Sequence, residues 1–217
     1  MLSVQGFSVS IGAIRIVNSA NLSVADGEFC GLIGINGAGK TTLLRGLMGA
    51  LPVSGSVTFD ARDLLASAPH ERVRSGIGYM PEDRRLVPDL SVEENIMLPA
   101  WTTRLAHAED RLRWILNFMP EVDGMRHRNV TELSGGQQKM AALARALMAG
   151  RRLLLLDEPF EGLAPALVRR LAEVLASLKR QRTSVLVAES HADPIKDLLD
   201  RRFVIERGVV RSIDELQ

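Results

Sequence analysis

Three short stretches of the chain carry residues that could do chemistry. The first runs Gly34-Ile-Asn-Gly-Ala-Gly-Lys40-Thr41, with Thr42 following. Glycines in this spacing let main-chain N–H groups converge on an anion. The lysine can reach the β and γ groups of a nucleotide, and the threonine hydroxyl can ligate Mg²⁺. Gly34, Asn36, Gly37, Ala38, Gly39, Lys40, Thr41 and Thr42 are the candidate nucleotide-binding residues, since a plain glycine turn between strand and helix needs neither the lysine nor the threonine. The second stretch is Leu153-Leu-Leu-Leu-Asp157-Glu158-Pro159. An aspartate at the tip of a buried strand can hold Mg²⁺ through water, and a carboxylate beside it can orient or deprotonate the water that attacks a γ-phosphate. Alone, Asp-Glu-Pro reads equally as a solvated strand end closed by a proline turn. Beside a phosphate loop, Asp157 becomes a metal candidate together with Thr41, and Glu158 the candidate general base.

The third stretch is Leu133-Ser-Gly-Gly-Gln137. Ser134 and Gln137 have capping-box spacing, and Met140, Leu143 and Leu147 give the helix that follows an apolar stripe. Capping explains the serine and the glutamine. It does not explain Gly135 and Gly136, each costing roughly 1 kcal/mol of helix propensity relative to alanine. Close approach of another molecule to the backbone would explain them.

The elements around these motifs read as follows. Leu2 to Val24 alternates loosely, which predicts short half-exposed strands, and Asp26-Gly27 marks a turn. Phe29 to Gly34 is a compact apolar run of the kind found in a fully buried strand. Leu43, Leu44, Leu47 and Met48 recur at helical spacing until Leu51-Pro52 stops them. Leu153 to Asp157 and Ser184 to Glu189 predict two more buried strands, separated by helix around Leu167 to Lys179. Arg202 to Glu206 predicts a last strand that turns at Gly208 into Val209 to Ser212. Strands alternating with helices predict a mainly parallel sheet with helices on both faces. Ser91-Val-Glu-Glu94 is a capping box opening a helical region through Met119, read as a lobe inserted into the α/β core. The boundaries are residues 1–88 and 150–217 for the core and 89–149 for the lobe.

The 217 residues carry 27 Lys and Arg against 26 Asp and Glu, a net charge of +1 that gives no electrostatic case for nucleic acid as a partner. The single cysteine, Cys30, sits in the apolar run and reads as a small hydrophobe in a reducing compartment. No run approaches the roughly 20 apolar residues needed to span a bilayer. The first residues lack the basic-then-apolar pattern of a signal peptide.

Leu133 to Gln137, set between the phosphate loop and the Asp157-Glu158 strand, resembles the signature of the ATP-binding cassette (ABC) ATPases over essentially the whole chain. The resemblance implies a P-loop ATPase core with an N-terminal antiparallel β subdomain and a helical lobe. It implies ATP and Mg²⁺ as ligands and two cassettes paired head to tail, so that Ser134, Gly135, Gly136 and Gln137 of one copy cap the γ-phosphate held by the other. Gly76 to Arg85, Leu90 to Asn95 and Asp157 to Pro165 are similar to the ATPase subunits of importers of branched-chain amino acids, urea and amides. That implies a peripheral position on the cytoplasmic face of the membrane, under two permease subunits and indirectly a solute-binding protein. Both an identical cassette and a paralogue fit as the partner on this reading. Val87, Pro88, Leu90, Met97 and Leu98 are expected to line the groove that receives a permease helix.

Four positions depart from the family pattern. Glu82 stands where most cassettes carry a glutamine, and its carboxylate remains an oxygen ligand suited to Mg²⁺. Ile11, or Ser10, falls where an adenine-stacking aromatic is usual; stacking is worth about 1–3 kcal/mol per base, of which an aliphatic contact recovers part. His191 is the candidate catalytic switch histidine, but counting back from Asp200-Arg201 puts Ser190 in that slot, and one residue's shift at a strand end reverses a side chain. The usual aspartate after Glu161-Gly-Leu-Ala164 is absent. His70, His107 and His127 lack metal-ligand spacing. Rival readings are a cassette acting on DNA or ribosomes, a small-molecule kinase, and a regulatory cassette that binds without turnover. The chain has neither the long coiled coil nor the tandem cassettes of the first, and a kinase has no use for Leu133 to Gln137.

Overall fold

The computed structural model of the protein describes residues 1–213; the last four residues of the expected 150–217 segment lie outside the described part. Two sheets organise the chain. The smaller is antiparallel, in the order β2 (Ile14–Val24), β1 (Leu2–Ile11), β4 (Val53–Phe59), β5 (Arg62–Asp63). The larger has six strands in the order β10 (Val209–Ser212), β9 (Arg201–Glu206), β3 (Phe29–Ile33), β8 (Ser184–Glu189), β7 (Leu153–Asp157), β6 (Ile77–Met80). All its pairings are parallel except that of β10 with β9.

The continuous apolar runs behave as a parallel sheet covered on both faces requires. Every residue of β7 and β8 is buried. Alternate residues feed two separate cores. Leu154, Leu156, Val185 and Val187 join the helices on one face, and Leu153, Leu155, Leu186 and Ala188 join the antiparallel sheet and helix α1 (Lys40–Leu47) on the other. Cys30 belongs to the second core, where burial pushes its thiol up to about 12.

Between β6 and β7 the chain is helical: α3 (Val92–Thr103), α4 (Ala108–Phe118), the short α5 (Pro120–Asp123) and α6 (Gly135–Ala149) follow α2 (Pro69–Arg74). The expected capping box opens α3, with Ser91 Oγ accepting from Glu94 N and Glu94 accepting from Ser91 N at 2.8 Å. Helix α6 is mostly buried and packs against both α3 and β6, so the inserted helices share a core with one face of the large sheet and with α7 (Pro165–Arg180). The fold is therefore α/β, with a mainly parallel P-loop sheet, an N-terminal antiparallel sheet and an inserted helical region. Among the described residues, no helix is long and apolar enough to cross a membrane.

Candidate functional site

Strand β3 lies between β8 and β9, and the phosphate loop leaves its carboxyl end to enter α1. This is where open parallel sheets place their ligands. Gly37 and Gly39 have φ of 81° and 112°, conformations that L side chains rarely adopt. Lys40, the first residue of α1, is 3% exposed. Its ammonium donates to the carbonyl oxygens of Gly34 and Ile35 and to Ser190 Oγ at 3.3 Å, and it pairs with Glu158 Oε1 at 2.9 Å. The loop thus closes around its own lysine.

A second cluster gathers oxygen. Thr41 Oγ1 lies 3.1 Å from Asp157 Oδ1 and 3.5 Å from Glu82 Oε2, and the Tyr79 hydroxyl donates to Asp157 Oδ2 at 3.0 Å. Tyr79 arrives because β6 and β7 pair in register, Tyr79 beside Leu155. Burial pushes the Asp157 carboxyl up to about 6, with hydrogen bonds from Tyr79 and Thr41 pulling the other way. Burial, then the neighbouring Asp157 charge, raises the Tyr79 hydroxyl. Asp157 is a fully buried carboxylate with no ion-pair partner among the described residues. Hard oxygen donors around an uncompensated buried charge suit a small divalent cation.

Glu158 follows in a left-handed conformation, φ 46°, which costs a non-glycine residue strain of the order of 1 kcal/mol or more. Its N–H donates to Ala188 O at 2.9 Å, and its side chain turns into the loop toward Lys40.

The Ser134–Gln137 capping box forms at the start of α6: Gln137 N donates to Ser134 Oγ at 3.3 Å, and Ser134 N to Gln137 Oε1 at 3.0 Å. Its two glycines differ. A Cβ on Gly136 would stand 2.2 Å from Leu167 Cδ1 of α7, so the end of that half-buried side chain would have to turn aside. A Cβ on Gly135 would meet only Arg84 Nη1, at 3.4 Å. No hydrogen bond joins Ser134 to Gln137 with residues 34–42 among the described residues.

A family model described as ABC transporter matches residues 17–161, which takes in the phosphate loop, the signature helix and the Asp157-Glu158 strand. The chain belongs to the ABC transporter family. It is an ATP-hydrolysing cassette. A high-affinity branched-chain amino acid transport ATP-binding protein, BraG of Pseudomonas aeruginosa, is 35% identical over 96% of this chain and 90% of its own length. The lipopolysaccharide export system ATP-binding protein LptB of Escherichia coli K12 is 32% identical over 89% of this chain and 82% of its own. Among solved structures, an ABC transporter cassette in its ADP conformation superposes with a TM-score of 0.81 at 25% identity, covering 97% of this chain and 89% of that one. A dimeric bacterial ABC transporter cassette has the same fold, with a TM-score of 0.84 at 24% identity and 97% of each chain covered.

Beyond the matched stretch, the cassette puts Ser190 rather than His191 in the site. Ser190 Oγ lies 2.7 Å from Asn36 Oδ1 and 3.2 and 3.3 Å from the two carboxylate oxygens of Glu158. His191 is exposed and makes no hydrogen bond or ion pair among the described residues. The cause is the end of β8: Glu189 is its last residue and pairs with Ile33, so the next side chain turns toward the loop and the one after turns out.

Ile11 pairs with Ile14 at the end of the β1–β2 hairpin, and both are exposed, at 49% and 66%. Val17 and the Ile16 carbonyl of the same hairpin lie against Gly39.

The groove differs from expectation. A cavity of about 870 Å³ opens between Arg45 of α1 and the Met48 that caps it, Tyr79, Glu82, and Leu98 and Thr102 of α3. Of the five expected lining residues, only Leu98 takes part. Met97 is turned inward and buried, and Asn95 folds the loop before α3 back on itself by binding both the N–H of Val87 at 2.7 Å and its carbonyl at 3.1 Å.

Four residues of the site have no motif of their own in the sequence: Tyr79, Lys139, Glu189 and Ser190. Glu189 is 5% exposed and accepts from Phe160 N at 3.0 Å, and burial pushes its carboxyl up to about 7. A charged residue inside the apolar stripe of α6, and a carboxylate closing an all-apolar strand, were the available signals.

Proposed function

We propose that this cassette works as one half of a head-to-tail pair, powering import of branched-chain amino acids or related amides through a membrane permease. One observation carries the paired reading. Lys40, Thr41, Asp157 and Glu158 are gathered within one chain, whereas Ser134 and Gly135 sit at a helix start with no bond to them. A helix start is an anion site, and Gly135 leaves its backbone open to approach. The anion it suits is a phosphate carried by a second cassette.

In this reading an entering triphosphate replaces Glu158 as the partner of Lys40, and the released carboxylate orients the attacking water. Thr41, Glu82 and Asp157 would hold Mg²⁺, which when bound neutralises charge on the β and γ phosphates. Ser190, between Asn36 and Glu158, takes the switch position, and His191 has no part in catalysis. Ile11 and Ile14 offer the adenine an aliphatic surface in place of an aromatic one.

The 35% identity to BraG supports amino acid import, and the 32% identity to LptB makes an export system the second reading. The cavity beside Leu98 is the surface proposed for a permease helix, with residues 89–149 as the lobe that moves against the core. Arg45 supports this, because it lines the cavity with a buried Nε that has no hydrogen-bond partner. An acidic helix end would supply that partner. The cassette is accordingly expected on the cytoplasmic face of the membrane, with no nucleic acid involved.

The test is Glu158→Gln. We expect turnover to fall by about 10²- to 10⁴-fold, with ATP retained and a nucleotide-dependent dimer visible by size-exclusion chromatography. A variant that keeps wild-type turnover, or that binds ATP and stays a monomer, contradicts the paired mechanism.

A further inference from the structure

Lys139 is a buried charge that takes no part in the reading above. It lies one turn inside α6, two residues after the signature ends at Gln137, and is 5% exposed. Its side chain crosses to the turn after β7, where its ammonium donates to the carbonyl oxygens of Glu158, at 2.7 Å, and of Glu161. It forms no ion pair among the described residues. A desolvated ammonium spent on two main-chain carbonyls is costly unless their positions matter.

The segment it grips has few other holds. Glu158 N is bound to Ala188 O, Phe160 N to the Glu189 carboxylate, and Glu161 N to Glu158 O at 3.3 Å. Lys139 is the only one of these holds that comes from the helical region. Glu158 itself stands at φ 46°, a conformation its neighbours must enforce. One side chain therefore joins the helix that begins at Ser134 to the strained backbone of the general base in the same chain.

We propose that Lys139 is a positioning residue that couples the two ATP sites of the cassette pair, transmitting capture of a phosphate at Ser134 and Gly135 to the carboxylate of Glu158, which serves the other nucleotide. The inference rests on the paired reading. In a dimer each chain contributes its signature to one nucleotide and its general base to the other, so a rigid link between the two within a chain makes turnover at one site sensitive to occupancy of the other. Coupling of this kind requires two sites and a shared element that both bias.

The test uses the full chain and its Lys139→Met, Lys139→Gln and Lys139→Arg variants, with ATPase kinetics, binding of a fluorescent ATP analogue and thermal melting. We expect Lys139→Met to lower kcat by about 10- to 100-fold, the scale of a small misplacement of a catalytic group. KM for ATP and analogue affinity should stay within about twofold. The Hill coefficient should fall from about 2 to about 1. Lys139→Arg, which can donate to both carbonyls, should recover most of kcat and the cooperativity. If Lys139→Met does not fold, Lys139→Gln carries the comparison. A folded variant with wild-type kcat and Hill coefficient overturns the inference while leaving the pair intact, and so does loss of kcat with unchanged cooperativity. A wild-type Hill coefficient of 1 overturns the inference together with the paired reading.

Discussion

Gly135→Ala separates what capping demands of the signature from what a phosphate demands. The helix offers no objection to the change. Gly135 has an ordinary φ, and its new Cβ would meet only the end of the Arg84 side chain, at 3.4 Å. Alanine is better than glycine inside a helix by up to about 1 kcal/mol. In a chain of this size that corresponds to a rise in Tm of about 2–4 °C. If the glycine exists so that a phosphate can reach the N–H groups of the first turn, the same methyl blocks that approach. Loss of one well-aimed donor costs about 10²–10³ in kcat. We therefore expect a variant that melts no lower than wild type and is nearly inactive, measured by differential scanning fluorimetry and a phosphate-release assay on the same preparation. Gly136→Ala is the control. Its Cβ would stand 2.2 Å from Leu167 Cδ1, the end of a half-buried side chain that must turn aside, so its Tm should fall short of that of Gly135→Ala whatever happens to activity. Gly135→Ala with full ATPase activity would reduce the signature to a capped helix.

Ser190→Ala should lower kcat by about tenfold or more, since its hydroxyl spans Asn36 and Glu158, while His191→Ala should change kcat by less than about twofold; steady-state ATPase assays compare them. Burial lifts the Glu189 carboxyl to about 7 from an ordinary 4.5, so the folded chain holds a proton there that the unfolded chain has lost. Its contribution to stability is present below about pH 4.5 and disappears as pH rises through about 7. Glu189→Gln, whose amide oxygen can still accept from Phe160 N, should flatten that part of the pH–Tm curve and melt above wild type at about pH 8. Leu98→Asp should leave ATPase activity of the isolated cassette within about twofold and abolish co-purification with its permease, whereas Val87→Asp should do neither, because Val87 is outside the cavity.

Local chemistry was legible in the sequence where it depends on neighbours in the chain. The phosphate loop, the buried strand ending in Asp157 and the Ser134 cap each occupy a few consecutive residues, and their backbone conformations follow from glycine placement, a continuous apolar run and capping preferences. The α/β class followed from the same runs. What could not be read depends on partners far along the chain. Gly136 meets the end of the Leu167 side chain, 31 residues later, a close approach within the chain that Gly135 does not share. Val87 lies outside the cavity and is bound on both its backbone groups by Asn95, a contact that no periodicity announces. Ser190 and His191 are one residue apart, and the last pairing of β8 with β3 decides which of them faces the loop. Lys139 was hidden inside an apolar stripe, where a helical pattern is counted by its hydrophobic members.

The contacts around Lys40 also bear on why the site keeps Glu158 and Lys40 together. An ammonium has three protons, yet four oxygen groups surround this one: two loop carbonyls, Ser190 and Glu158. At least one acceptor is always undersupplied, so the arrangement is satisfied only in part and can be exchanged at low cost. A phosphate oxygen, more strongly charged than a carbonyl, competes well for those protons. In the proposed mechanism Glu158 would then keep only the Ser190 hydroxyl and stand as a free carboxylate beside the nucleotide. On the reading proposed above, the lysine that binds substrate would hold the base in reserve until substrate arrives, so the contacts that close the loop are made by the residues proposed to perform hydrolysis.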